Sequence, residues 1–405
     1  MPLATFLLAI VALAGRGSRL AVGGRQLHDA SFDKNSQVKL LSMLCQLLNL
    51  EVGWQFLGSR EPRFHPHAWL PSQPYQLARP TSKANQPSEI RPSRMQPADV
   101  SDDELLLPSV AADLPLLRLA ARAALDAGQH LVARVGTAEI LARKLDAADL
   151  VTAVDKECQD IIKSHVQGLQ RGVHTILGEE DVAPGIDAAM AALESRLTTT
   201  SPHAASDDID DMERKWLWIV DPIDGTTNFV QGLPLCAVSI GIVDVSRRER
   251  MGAVIFDPFR EELFAAWRGR GAFLNGKPVT CSGVSKLSDA VLCGCSPKLH
   301  AVETALRGIA ALMPRARSLR ILGSGVLNFA WVACGRLSAY WEPELAPWDT
   351  AAGTLLIEEA GGNVSDLDGS TYKLESRAVL GSASGIHETL LQALREADAV
   401  HVRSG

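Results

Sequence analysis

A chain of 405 residues with 46% hydrophobic and 21% charged content is long enough for one large domain, or two lobes, around a sizeable core. Its formal charge of −7 conceals an asymmetry: residues 1–98 carry 11 Lys/Arg against 5 Asp/Glu, leaving 29 against 42 elsewhere, which argues against a nucleic-acid partner and fits cation binding. No stretch approaches the roughly 18–20 apolar residues of a membrane span, and the seven scattered cysteines, with only Cys293 and Cys295 close together, give neither a disulfide framework nor a zinc spacing. Buried thiols in a reducing compartment are expected.

Residues 2–15, PLATFLLAIVALAG, form an apolar run of signal-peptide length, followed at once by Arg16, Ser18 and Arg19. Residues 16–98 are rich in Ser, Pro, Gln, His and Arg and poor in acids, so residues 1–98 read as a targeting or disordered extension outside the fold. An apolar run before an acid-poor tail resembles the bipartite presequences that carry proteins into some algal plastids. A plain secretory signal fits the same run, and no Lys or Arg precedes it, which leaves the cytoplasm as a third location.

The folded unit is expected over residues 108–398. Leu114, Leu117, Ala121 and Leu125 recur at helical spacing, as do Val151, Val154, Cys158, Ile161 or Ile162, and His165 or Val166, which predicts two amphipathic helices with Lys144 in the short link between them. The segment 181–214, containing TTTSPHAASDDIDD, reads as an exposed acidic loop insertion. LCAVSIGIVDV from 235, MGAVIFDPF from 251, ELFAAW and GAFLNGKPV then predict a strand meander, with Asn275–Gly276 as a hairpin turn. Beyond residue 287 strands and helices alternate: VLCGC at 291, a helix from His300 to Leu312, LRIL at 319, a helix near 326–334, SAYW at 338 and a helix from about Asp349 to Ala360. The fold class is therefore α+β: a first lobe, about 108–286, with a mixed or antiparallel sheet, and a second, about 287–398, with a smaller α/β sheet.

The chemistry concentrates where apolar segments end in acids. WLWIV has the character of a buried strand and runs out into Asp221-Pro222-Ile223-Asp224-Gly225. Pro222 fixes one backbone angle and Gly225 permits a tight reversal, which turns Asp221, the Ile223 carbonyl and Asp224 towards one point. Such hard oxygens suit Mg²⁺, although the same five residues also make an ordinary turn. ILGEED ends in Glu180, and PWDTAAGTLLIEEAGG sets Asp349 in the first turn of a helix, where an acid is also a natural cap.

GEE at 178–180, WIVDPIDGTTNF at 218–229 and WDTAAGTLLIEEAGG at 348–362 closely resemble the motifs of the inositol monophosphatase family over roughly residues 110–395. The resemblance implies a layered αβαβα sugar-phosphatase fold, a homodimer, lithium sensitivity and two or three Mg²⁺ ions. It also implies metal ligands at Glu180, Asp221, the Ile223 carbonyl, Asp224 and Asp349, a water-orienting pair of Asp155 and Thr226, and a nearby basic residue, Lys144. The backbone N–H groups of Gly225 and Thr226 would meet phosphate, and Gly323, Ser324, Gly325 and Glu342 would line the alcohol side. Thr226 is no base by itself, but its hydroxyl can pass a hydrogen bond from water to Asp155.

The implied activity is Mg²⁺-dependent hydrolysis of a phosphate monoester, inositol monophosphate first, with histidinol phosphate or galactose 1-phosphate as alternatives. YWE followed by PWD looks especially like the plastid branch of plants and algae, and Thr227 stands where the histidinol-phosphate branch tends to carry Lys. A phosphatase with a nucleophilic aspartate needs its two acids separated by one residue, whereas two intervene between Asp221 and Asp224. GAFLNGKP lacks the Ser/Thr of a P-loop. A non-catalytic binding or dimerisation protein on the same fold would be marked by a lost metal acid, and all are present.

Overall fold

The structure is a computed structural model in which residues 21–22, 25–26, 107, 114–136, 140–143, 150–169, 172–198, 214–294 and 301–400 are described. The chain divides into two units, Met1–Pro92 and Ser93–Gly405. In the first, Ala21–Val22 pairs antiparallel with Arg25–Gln26; the apolar run at 2–15 and most of the extension lie outside the described residues.

The second unit opens with α1 (Pro115–Val132), whose Leu117, Ala120, Ala121, Ala124, Gly128 and Leu131 are buried along one stripe. The small residues bring the helix close to the sheet: a Cβ at Gly128 would stand 2.5 Å from the Phe256 ring. A short hairpin follows, β1 (Ile140–Arg143) with β2 (Leu150–Thr152). The helix expected from Val151 starts instead at α2 (Ala153–Gln167), because Thr152 is its cap and closes a capping box with Asp155. Lys144 lies outside the described residues.

A seven-stranded sheet carries this helical pair. It comprises β3 (His174–Gly178), β4 (Trp216–Asp224), β5 (Ala237–Asp244), β6 (Glu249–Asp257), β7 (Glu262–Trp267), β8 (Gly271–Leu274) and β9 (Lys277–Val279), paired in sequence order from one edge to the other. From β4 onward it is the expected antiparallel meander, with Asn275 and Gly276 both at positive φ in the β8–β9 turn. Only β3 is parallel to its neighbour. That pairing requires a crossover, and part of the crossover corrects the loop expected at 181–214: α3 (Ile186–Leu197) buries Ala189, Leu193 and Leu197, a helical spacing masked by the polar tract behind it.

A five-stranded sheet in the order β11-β10-β12-β14-β13 forms the other half. Its strands are β10 (Val291–Cys293), β11 (Ser318–Arg320), β12 (Ala339–Glu342), β13 (Asn363–Asp366) and β14 (Val379–Ser382). α6 (Gly325–Ala333) and α7 (Pro347–Glu359) pack between the two sheets, while α5 (Val302–Leu312) and α8 (His387–Glu396) cover the far face. The layers are therefore helix, sheet, helix, sheet, helix, as expected; β13, β14 and α8 went unread in the sequence, although α8 buries His387, Leu390, Leu391 and Leu394 at helical spacing. Free thiols are buried at Cys158, Cys236 and Cys293 and partly buried at Cys281 and Cys334. Among the described residues no helix is long and apolar enough to cross a membrane.

α7 approaches the large sheet closely over Gly241 of β5, where a Cβ would lie 2.8 Å from Ala351 Cβ. Valine there would relieve glycine's entropic cost of about 0.5–1 kcal/mol but overpack the layer at about 1–3 kcal/mol. Gly241→Val is therefore expected to lower the urea midpoint, with an unchanged denaturant slope.

Candidate active site

The ladder between β4 and β5 explains how two acids three residues apart come to one face. Asp221 pairs with Ser239, but Asp224 pairs with Ala237, so β4 spends three steps where its partner spends two. In a regular strand, residues three apart point to opposite faces; the extra residue of this bulge restores Asp224 to the face of Asp221. Asp221 is buried, and its Oδ1 accepts from Ile223 N at 3.0 Å, closing the turn. Gly225 then takes φ +88°, and any Cβ there would sit 2.8 Å from the Leu235 carbonyl, so glycine is required on both counts.

α7 brings the third acid. Ala346 rather than Asp349 is the cap; Asp349 stands at the third helical position and reaches back to accept from Ala346 N at 2.7 Å. Ser239, opposite Asp221, lies 3.5 Å from the Trp348 carbonyl and ties the start of α7 to the sheet. The outcome is that Asp221, Asp224 and Asp349 each offer a carboxylate oxygen within 4.8 Å of the others.

The fourth acid differs from the expectation. Glu179, not Glu180, lines the cleft with these three. β3 and β4 run parallel with Gly178 level with Val220, so the residue after Gly178 comes level with Asp221. Glu180 is one step past that point, and its backbone N–H donates to Gln159 Oε1 at 3.0 Å. Lining up the ends of the two apolar runs, ILG before Glu179 and WIV before Asp221, would have found it.

Asp224 is the most constrained member. Its Oδ2 accepts from Ser324 Oγ and from Val326 N at 3.0 Å, at the N-terminus of α6. Burial pushes its pKa from 3.8 up to about 6; the Ser324 and Val326 donors oppose the rise and the Glu179 carboxylate adds to it. These donors are too few to offset the desolvation of a carboxylate beside other carboxylates. Converging hard oxygens, with neither nitrogen nor sulfur among them, fit a divalent cation such as Mg²⁺.

Thr226 stands beside the cluster in α4 (Thr226–Val230), its Oγ1 3.3 Å from Asp155 Oδ1 and 3.1 Å from the Ile223 carbonyl. Asp155 is buried, and its other oxygen accepts from Thr152 N at 2.8 Å and Thr152 Oγ1 at 2.6 Å, so the expected pair is within reach and oriented. The cleft of about 300 Å³ also contains Gly323, Ser324, Gly325 and Glu342. Tyr340, Glu344 and Asn228 are among the lining residues that went unread. Asn228 donates to the Leu235 and Leu322 carbonyls, both at 2.8 Å, and so joins the two loops that meet at Gly225 and Gly323. Val182, Pro184, Gly185, Ile186 and Ala189 close one wall, so the crossover contributes to the cleft.

Residues 113–399 match the model of the inositol monophosphatase family. The chain belongs to that family. Inositol monophosphatase 3 of tomato, Solanum lycopersicum, is 38% identical over 253 residues, which is 61% of this chain and 85% of the relative. Nus factor SuhB of Pseudomonas aeruginosa is 34% identical over 288 residues, or 69% and 96%. Among solved structures, the IMPase of Thermotoga maritima superposes with a TM-score of 0.59 at 29% identity, covering 70% of this chain and 98% of its own. The inositol monophosphatase of Anabaena gives 0.55 at 30%, covering 70% and 96%. Inositol monophosphatases are phosphatases that hydrolyse phosphate monoesters, generally with metal ions, and the chain is a phosphoric monoester hydrolase of this family.

Because the folded protein favours protonated Asp224, the stability this group contributes is fully present below pH 3.8 and is lost as pH rises through about 6. In the presence of a chelator, Asp224→Asn, which cannot ionise, is expected to be more stable than the wild type at pH 7.5, by on the order of 1–3 kcal/mol. The difference should shrink towards zero at pH 4. Thermal melts of both proteins across that range measure it.

Proposed function

We propose that this chain is a Mg²⁺-dependent phosphatase that hydrolyses inositol monophosphate to inositol and phosphate. The observation that carries the reading is the convergence of Glu179, Asp221, Asp224 and Asp349 on one cleft that also opens onto Glu342. In this reading Glu179, Asp221, the Ile223 carbonyl, Asp224 and Asp349 hold two or three ions. Bound there, Mg²⁺ supplies Lewis acidity that makes water nucleophilic near neutral pH and offsets charge on the leaving oxygen. Thr226 accepts a hydrogen bond from the attacking water and passes its own to Asp155, whose second oxygen is held in place by Thr152 N and Oγ1. The amides of Gly225 and Thr226 bind phosphate oxygens, and the resemblance alone supports Lys144 as a basic residue of the site. Glu342 accepts from vicinal hydroxyls of the alcohol, against the small surface of Gly323, Ser324 and Gly325.

One observation favours a second substrate. Glu344 adds a carboxylate to the cleft wall and would pair with the ammonium group of histidinol phosphate. The family's plant members and the acid-poor first 98 residues support a plastid location, and the resemblance supports a homodimer.

Phosphate release by the full chain across inositol 1-phosphate, galactose 1-phosphate and histidinol phosphate, with Mg²⁺ and then with Li⁺ or EDTA, tests the reading. Fastest turnover of the inositol ester, abolished by EDTA and inhibited by Li⁺, is expected; a metal-independent activity would overturn it. At the level of single residues, Glu179→Gln and Asp224→Asn are each expected to lose about 100-fold or more in turnover, whereas Glu180→Gln stays near wild type.

A further inference from the structure

The geometry points to Tyr340 as the positioning residue that sets substrate selectivity, by holding Glu342 in the orientation that receives the hydroxyls of the alcohol. This rests on the role proposed for Glu342. Tyr340 and Glu342 are two apart on β12 and so share a face of the strand. Tyr340 is 1% exposed, and a phenol buried this deeply needs a partner for its hydroxyl. It finds one at the cleft, where its hydroxyl donates to Glu342 Oε2.

Three features fix the phenol. Its ring packs edge-on against Phe329, with centroids 4.8 Å apart and planes at 79°. On the neighbouring strand, β14, Gly381 lies opposite it in register. Gly325 leaves the hydroxyl room: a Cβ there would stand 3.1 Å from the Tyr340 oxygen and 3.9 Å from Asp224 Oδ1. The hydroxyl thus lies at the junction of the strand carrying Glu342 and the helix start that holds Asp224. Burial, reinforced by the Glu342 charge, raises the phenol well above its ordinary pKa, so it remains a donor throughout the working range. A hydroxyl donating to one carboxylate oxygen limits the rotation of that carboxylate. Glu342 is then presented as an acceptor in one orientation, which suits adjacent alcohol hydroxyls and gives no advantage to an ester without them.

The experiment compares Tyr340→Phe, Glu342→Gln and the double variant on inositol 1-phosphate and on p-nitrophenyl phosphate, which has no hydroxyl to offer. Phenylalanine keeps the ring against Phe329, and melting temperatures check that the fold persists. Tyr340→Phe is expected to raise KM for the inositol ester by about tenfold with kcat within about twofold, leaving both constants for p-nitrophenyl phosphate unchanged. In the Glu342→Gln background it should add nothing further. Equal losses on both esters, or additive effects in the double variant, would mean a merely structural tyrosine and overturn the proposal. If Glu342→Gln raises KM selectively but Tyr340→Phe does not, only the role of Tyr340 falls. If Glu342→Gln itself fails to discriminate the esters, the reading of Glu342 falls and this proposal with it.

Discussion

Everything at the cleft depends on one unfavourable act: carboxylates from separate parts of the chain are brought close enough to repel. Asp221, Asp224 and Asp349 lie within 4.8 Å at their nearest oxygens, with Glu179 beside them. Several kcal/mol of mutual repulsion and desolvation must be met by the rest of the structure. The fold answers with donors: Ile223 N for Asp221, Ser324 Oγ and Val326 N for Asp224, Ala346 N for Asp349. Asp224 and Asp349 sit near the ends of elements and Asp221 at the bulge of β4, where backbone amides are free to donate. The layered arrangement is what lets the ends of β3 and β4 and the starts of α6 and α7 meet at one place.

The donors only partly succeed, as the raised pKa of Asp224 shows. That residual repulsion is what the divalent cation of the proposed function would offset. A structure selected for stability alone would have an amide or an apolar group there. The stitch made by Asn228 belongs to the same logic, since it fixes the loops around Gly225 and Gly323 without adding charge to a crowded site.

Much of this was legible in the sequence, for reasons that differ by element. The meander from β4 to β9 was readable because each strand alternates or is uniformly apolar and its turns carry Asn and Gly. Asp221 and Asp224 were readable because proline follows the first and glycine the second. Glu180 was expected on the cleft where the structure has Glu179, because two adjacent glutamates look alike in one dimension until the ends of the two apolar runs are set level, as the parallel register of Gly178 with Val220 sets them. α3 was hidden by composition, its buried stripe being followed directly by a polar tract. Tyr340 was hidden for another reason: an aromatic residue in a short strand looks like core, and its hydroxyl acquires meaning only beside Glu342. β13 and β14 owe their form to pairing within the second sheet more than to local pattern, whereas the stripe His387, Leu390, Leu391 and Leu394 of α8 has helical spacing and was readable.

The parallel pairing of β3 with β4 also bears on how such a chain can diversify. A crossover must leave one end of the sheet and return to the other, so it already exceeds the length of a tight turn. Each further doubling adds only about 0.6 kcal/mol of closure entropy. The register at its two ends, Gly178 with Val220, is held by the sheet and is indifferent to what lies between. New sequence can therefore accumulate between Glu179 and Asp221 while both acids keep their places. Since the first part of that segment forms a wall of the cleft, the fold separates a part free to vary, which shapes the entrance, from a part that cannot, which performs the chemistry.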